Sequence, residues 1–391
     1  VTNFNTKNKK YISLLVKEFE MRKNATEYAR AQVSRSGQLD TNKLFQYRTK
    51  NDLFRRVTTI GKGKSHAMQI VFDMSGSMSS IFRQTVDQIL VLATFCKRVN
   101  IPFEIYGFSD AVQFRNMTRT FGKTSGNVWN RDGYDKSEVP TLWLDRDFRL
   151  IKYLSSDMAS LTYRRAFNML AVVADQFNTF YDPSHRGSFN WDAAGFRLNG
   201  TPLTETHVAM RYIAADFKKK TNVDHVNLII MTDGEGSRVS CHNAAINHVQ
   251  DTVYVVDPIS KMRQKIDKYD SYDYRGPIVK LVHDALALDG IKVIGYYIAA
   301  RAQYLGAPGI SNIDLIEARK QVKKNGFYVT SKIVGFDQYY LMTIGGDRPD
   351  EMVGVDANST KSQLKNAFKQ MNLNKRANRG LASNFAQSIA L

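Results

Sequence analysis

Three near-continuous apolar runs constrain the fold of this chain more than any other feature. They are His66–Phe72, Val226–Met231 and Ile291–Ile298. Runs this short and this apolar, with amphipathic stretches between them, read as strands buried on both faces. Pro102–Phe108 reads as a further strand and Phe327–Thr330 as a weaker one. Ser80–Val99 reads as a helix with Val86, Ile89, Leu90, Ala93 and Cys96 facing inward, and Pro277–Leu288 as another. Buried strands alternating with such helices predict an α/β fold, a doubly wound and mostly parallel sheet of Rossmann-like winding. Ligands of such sheets sit beyond the carboxyl ends of the strands.

Those ends are where the chemistry gathers. The first run closes in Asp73-Met74-Ser75-Gly76-Ser77-Met78, and Gly76 suits a sharp turn there. The second closes in Met231-Thr232-Asp233-Gly234. Between them, Gly200-Thr201-Pro202-Leu203 leads into a helix expected from about Thr204. Asp73, Ser75, Ser77, Thr201 and Asp233 would supply carboxylate and hydroxyl oxygens from three loops. Hard oxygens of this kind suit Mg²⁺, or another hard divalent cation such as Mn²⁺ or Ca²⁺. Asp110, Thr204 and Glu235 lie close by in sequence and are candidates to support these ligands. Each piece also has a plain structural reading. Asp73 and Ser75 could cap the following helix, Thr201 or Thr204 could cap the next, and Asp233-Gly234 could be an ordinary turn.

The formal charge is +18 over 391 residues, and it is unevenly placed. Residues 1–68 carry 15 Lys and Arg against 5 Asp and Glu, and residues 360–391 carry 6 against none. The 291 residues between carry 34 against 32. Basic flanks around a nearly neutral core suit an acidic protein surface or nucleic acid, or are solvated helix faces. Two cysteines, Cys96 and Cys241, rule out a disulfide framework or a zinc knuckle and suggest a reducing, cytoplasmic setting. No apolar run reaches membrane-spanning length. The N-terminus has no signal-peptide core, and a start at Val1 leaves room for a missing initiator Met or leader. No P-loop, HExxH or G-x-S-x-G pattern is present, so intrinsic catalysis is not expected.

Three parts are predicted. Residues 1–64 form a basic helical flank, with one helix over 9–34 carrying Leu15, Phe19, Ala25, Ala29 and Val33, and a short second one through Leu44, Phe45 and Tyr47. Residues 65–358 form the α/β domain, with insertions at about 116–198 and 237–276. The first insertion carries an amphipathic helix from about Ser160 to Phe177. Residues 359–391 form a basic helical tail with Leu364, Phe368, Met371, Leu381, Phe385 and Ile389 as apolar stripes.

Asp-Met-Ser-Gly-Ser, Gly-Thr-Pro-Leu and Thr-Asp-Gly, in this order, resemble the metal-ion-dependent adhesion site of von Willebrand factor A domains. The resemblance implies metal ligation by Asp73, Ser75, Ser77, Thr201 and Asp233 at the carboxyl edge of the sheet, with a partner's Asp or Glu completing the coordination. The flank narrows it. Phe19-Glu20-Met21-Arg22-Lys23, Tyr28-Ala29-Arg30-Ala31 and Ser34-Arg35-Ser36-Gly37-Gln38-Leu39-Asp40-Thr41 resemble the von Willebrand factor A subunit of cobaltochelatase. Leu154-Ser155-Ser156-Asp157-Met158 and Leu198-Asn199-Gly200 continue the likeness, which covers about 10–115 and 150–235. It implies a non-catalytic adaptor between a cobaltochelatase-type (MoxR-like) AAA+ ATPase and a target protein. Phages carry relatives of that pair, which would place the chain in a host cytoplasm or a virion. The other readings are a true cobaltochelatase component, a nucleic-acid-binding protein and a phage structural protein.

Overall fold

The apolar runs become the centre of a seven-stranded sheet in the computed structural model. It describes residues 2–29, 31–39, 54–60, 65–110, 141–143, 148–177, 200–234, 236, 240–242, 253–266, 275–301, 305–306 and 311–343. The strands are β1 (Ala31–Leu39), β2 (Phe54–Ile60), β3 (His66–Asp73), β4 (Phe103–Asp110), β5 (Thr141–Trp143) and β6 (Phe148–Ser155). They continue with β7 (His225–Thr232), β8 (Ser240–His242), β9 (Val253–Val256), β10 (Arg263–Ile266), β11 (Ile291–Ala299), β12 (Phe327–Thr330) and β13 (Gln338–Thr343). The main sheet runs in the order β12-β13-β11-β7-β3-β4-β6. Its five central strands are parallel, and β6 and β12 close the two edges antiparallel.

Alternation along each strand sorts the core into two layers. Met68, Ile70 and Phe72 of β3 face one side, with Ile229 and Met231 of β7 and Tyr296 and Ile298 of β11. Helices α1 (Thr2–Ala29), α2 (Phe82–Arg98) and α3 (Ser160–Phe177) cover that side. Ala67 and Val71 of β3 face the other side, with Leu228, Ile230 and Val293. Helices α4 (Leu203–Thr221) and α5 (Arg275–Leu288) cover it, and α6 (Asn312–Asn325) adds Val322. Phe72, Phe82, Phe95, Phe103, Phe108 and Phe177 are each fully buried, and each such ring contributes roughly 1.5–3 kcal/mol by burial. The expected inner face of α2 is buried throughout, from Val86 to Cys96.

This winding places the functional end. From β3 the chain crosses through α2 to β4 on one side, while β7 pairs with β3 on the other. The strand order therefore reverses at β3/β7, and the carboxyl ends of these two strands flank a crevice. Asp73 and Asp233 stand at those ends.

Several segments differ from the reading of the sequence. The first helix begins at Thr2 and stops at Ala29, so Val33 lies in β1. β1 pairs antiparallel with β2, from Ala31↔Ile60 to Leu39↔Phe54, so the flank is not wholly helical. Val33, Val57, Thr58, Thr59 and Ile60 favour extended backbone, but paired residues lie 15 to 29 positions apart, beyond a local window. Helix α1 is itself part of the core, burying Tyr11, Ile12, Leu14 and Leu15. Within the stretch expected as an insertion at 116–198, β6 is the edge strand of the main sheet and α3 packs against α2 through stacked Phe82 and Phe177. The 237–276 insertion contains the β9–β10 hairpin, and its β8 pairs with β5. The short helix expected through Tyr47 and the tail 359–391 lie outside the described residues.

Candidate metal centre

The loop after β3 is pinned by its methionines, with Ser75 buried and Ser77 exposed. Met74 and Met78 are buried in the core on the α2 side, and the Met74 N–H bonds the Phe108 carbonyl at 2.9 Å. Tyr153 on β6 donates to the Met74 sulfur at 3.3 Å. The chain then turns as a short 3-10 helix, Gly76–Ser80. Gly76 opens this turn, as expected, and does so in 3-10 geometry without a positive φ.

With the methionines inward, the hydroxyls meet the carboxylates. Asp73 is fully buried. Its Oδ1 accepts the Ser75 N–H at 2.7 Å, and its Oδ2 accepts the Thr232 hydroxyl at 2.8 Å. The Ser75 and Ser77 hydroxyls lie 3.0 Å apart, and Ser77 donates to Asp233 Oδ1 at 2.8 Å. Four of the five expected residues thus form one bonded chain, Asp73–Ser75–Ser77–Asp233, across the switch point. Burial first, and the Asp233 charge second, push the Asp73 carboxyl up to about 7. Burial also raises the Asp233 carboxyl. Two carboxylates facing each other in a desolvated crevice disfavour joint ionisation, and a cation between them would reverse that.

Thr201 lies in the second loop, just before α4, and is not bonded to the cluster among the described residues. Its carbonyl accepts the Leu203 N–H at 2.8 Å around Pro202, whose φ of −76° and ψ of 64° make an inverse γ-turn. Leu203 abuts the loop after β7, since a Cβ on Gly236 would lie 2.7 Å from the Leu203 Cβ. Thr201 is half-buried, whereas Thr204 is buried within the first turn of α4. The bonds that tie the cluster run among the other four residues and Thr232.

The capping alternatives are not realised. Ser75 precedes the 3-10 helix without a side-chain cap bond, Ile81 stands at the cap position of α2, and Pro202 at that of α4. The serine hydroxyls are engaged with the carboxylate cluster instead. Asp110 ends β4 at the same edge of the sheet, opposite Phe148. Glu235 lies outside the described residues. Thr232 was not singled out from sequence, yet it bonds Asp73 directly and accepts the Gly234 N–H at 3.2 Å. The signal was present in the parallel register: Phe72 pairs with Met231, so the next residues, Asp73 and Thr232, emerge side by side.

Among the described residues no group of three or more His, Cys, Asp and Glu side chains could hold a metal. The donor set is two carboxylates with hydroxyls, which fits a hard cation that retains water and does not fit zinc-type sites built of His and Cys.

No protein-family profile matches this chain, and no curated protein sequence does. Among solved structures, the pilus adhesin SpaC from Lactobacillus rhamnosus GG, in its open conformation, is similar at 13% identity and a TM-score of 0.37. That match covers 84% of this chain and 30% of the adhesin. Human COPII-coat protein Sec24c is similar at 7% identity and a TM-score of 0.27, covering 73% of this chain and 30% of that one. Proximal thread matrix protein 1 from the mussel byssus, with a zinc-occupied MIDAS motif, is similar at 11% identity and a TM-score of 0.25, covering 78% and 70%. The chain spans under a third of the length of SpaC and of Sec24c.

Proposed function

We propose that this chain is a non-catalytic protein-binding module of the von Willebrand factor A type, working through a hard divalent cation. Asp73, Ser75, Ser77, Thr201 and Asp233 hold the cation, with Mg²⁺ the first candidate and Mn²⁺ or Ca²⁺ the others. Thr232 fixes the Asp73 carboxylate from behind. The bound cation supplies an open coordination position for an Asp or Glu of the partner, a directional contact in a partly desolvated crevice. The observation that carries this reading is the bonded chain from Asp73 through Ser75 and Ser77 to Asp233 at the β3/β7 switch point. The sequence likeness over about 10–115 and 150–235 supports a finer version, in which the module is an adaptor that couples a MoxR-like AAA+ ATPase to a target protein.

Affinity capture from the native host with the full chain, with Mg²⁺ and with EDTA, tests both versions. The expected result is a partner retained only with Mg²⁺ and lost in Asp73→Ala, which melts lower than the parent but still unfolds cooperatively. Retention in EDTA and in Asp73→Ala sinks the metal reading. A metal-dependent partner that is not an AAA+ ATPase, with no ATPase in the complex, sinks the adaptor version alone.

A further inference from the structure

The β9–β10 hairpin lies in the chain between β7 and α5, and the structure braces it from inside. Arg275, at the start of α5, donates to the Gly236 carbonyl and so closes the base of the excursion between β7 and α5. Val255 and Ile266 pack inward on the α4–α5 side of the core. In the turn, Asp257 accepts the Ser260 N–H at 2.8 Å and its hydroxyl at 2.6 Å. Its carboxylate also faces Arg211 of α4 at 3.4 Å, and Arg211 reaches Asp289 at 2.5 Å. Arg211 is 2% exposed and Asp257 6%, so this brace lies within the protein. A buried ion pair of this kind fixes geometry more than it adds stability.

What the brace holds outward is unusual for a solvent face. Tyr254, Val256 and Ile259 are 47%, 52% and 52% exposed. Lys261, Arg263 and Lys265 are exposed alongside them, and the Arg263 guanidinium lies 6.0 Å from the Tyr254 ring centroid. The one acid in 253–266 is Asp257, which is turned inward onto Arg211. Among residues 253–266 the outer face therefore combines apolar side chains with cations and carries no carboxylate. Aliphatic Val256 and Ile259 offer nothing for bases to stack on, and Tyr254 is the single ring on this face, which disfavours single-stranded nucleic acid.

We propose that the outer face of the β9–β10 hairpin is a docking surface for an acidic, apolar polypeptide segment of a protein partner. Carboxylates of the segment meet Lys261 and Arg263, and its apolar side chains cover Tyr254, Val256 and Ile259. Complementary charge would speed encounter and fix register, and the apolar contacts would hold the segment in place. This surface works without the cation.

The test is fluorescence anisotropy of the full chain, in EDTA, with a labelled peptide of about twelve residues alternating Glu and Leu. The Gln-for-Glu peptide, oligo-dT of equal length and phosphatidylserine vesicles serve as rival probes. Two exposed double variants are compared, Lys261→Glu with Arg263→Glu, and Val256→Ser with Ile259→Ser, each first checked for an unchanged melting temperature. The expected result is binding of the Glu/Leu peptide that falls about tenfold or more in each double variant. Absence of peptide binding overturns the proposal, as does affinity that stays within about twofold in both variants. Stronger binding of oligo-dT or vesicles, lost in the same variants, also overturns it in favour of those partners. Because every arm runs in EDTA, the outcome is independent of whether Asp73 and Asp233 hold a cation.

Discussion

His207 shows how much a single buried side chain can set the response of this protein to acid. It lies in α4, fully buried, against Phe336 in an edge-to-face contact. Its Nδ1 bonds the Leu203 carbonyl at 2.8 Å, which makes Nδ1 the protonated nitrogen. Burial, with the nearby His283 in a lesser role, pushes its pKa down from 6.5 to about 4. In the unfolded chain the imidazole titrates near its ordinary value. Between these two values the unfolded state binds a proton that the native state refuses, so stability falls as pH drops from 6.5 towards 4. The loss from this residue is about 2–3 kcal/mol at pH 4.5. His283 acts in the opposite sense, since the Asp337 carboxylate 3.5 Å from its ring raises its pKa and favours the folded state at lower pH. Urea unfolding at pH 7.5 and pH 4.5 separates the two. His207→Gln should show a smaller drop between these pH values than the parent, by roughly that amount. An unchanged drop would mean that the imidazole is protonated in the native state.

At the scale of elements, the central strands were legible and the edges were not, for a physical reason. β3, β7 and β11 are buried on both faces, so their sequences are near-continuous apolar runs that stand out without any partner. β6 is an edge strand carrying Arg149 and Lys152, and only its last three residues are buried, so it blends into the polar stretch before it. β13 (Gln-Tyr-Tyr-Leu-Met-Thr) was not singled out, nor was α6, whose sequence is mostly polar with one buried run of contacts through Ala318 and Val322. The site followed the same rule. Asp73, Ser75, Ser77 and Asp233 sit at the ends of the legible strands, whereas Thr232 needed the β3/β7 register to be noticed. Register also explains a glycine that looked incidental within an apolar run. Gly295 in β11 stands opposite Tyr339 of β13, whose ring fills the space a side chain would take. A Cβ at Gly295 would lie 2.2 Å from Tyr339 Cδ2 and 2.8 Å from Phe336 Cδ1. Both rings are buried, so they have little room to withdraw. Gly295→Ala should therefore destabilise by about 1–3 kcal/mol, the cost of overpacking, in equilibrium denaturation. A stability equal to the parent's would show that the β13 edge moves away freely.

For the whole molecule, the metal reading is a statement about folding stability as well as about binding. Asp73 comes from β3 and Asp233 from the end of β7, and 159 residues of chain separate Asp73 from the Thr232 that bonds it. A cation that needs both carboxylates and the serine hydroxyls between them meets that arrangement only in the folded chain. Binding to the native state alone stabilises it by mass action, about 2.7 kcal/mol when free cation is a hundredfold above its dissociation constant. Burial, and the charge of Asp233, disfavour ionised Asp73, a local penalty that a bound cation would remove. Thermal unfolding at pH 7.5 should then shift upward by several degrees as Mg²⁺ rises through the millimolar range, and EDTA should reverse the shift. Asp73→Asn removes one charge while keeping the shape. It should melt no lower than the apo parent, because the like-charge conflict is gone, yet its melting temperature should be indifferent to Mg²⁺, Mn²⁺ and Ca²⁺. A parent chain whose melting temperature ignores all three cations would leave the serine–carboxylate chain as a structural junction of two strands, holding the crevice closed through hydrogen bonds alone.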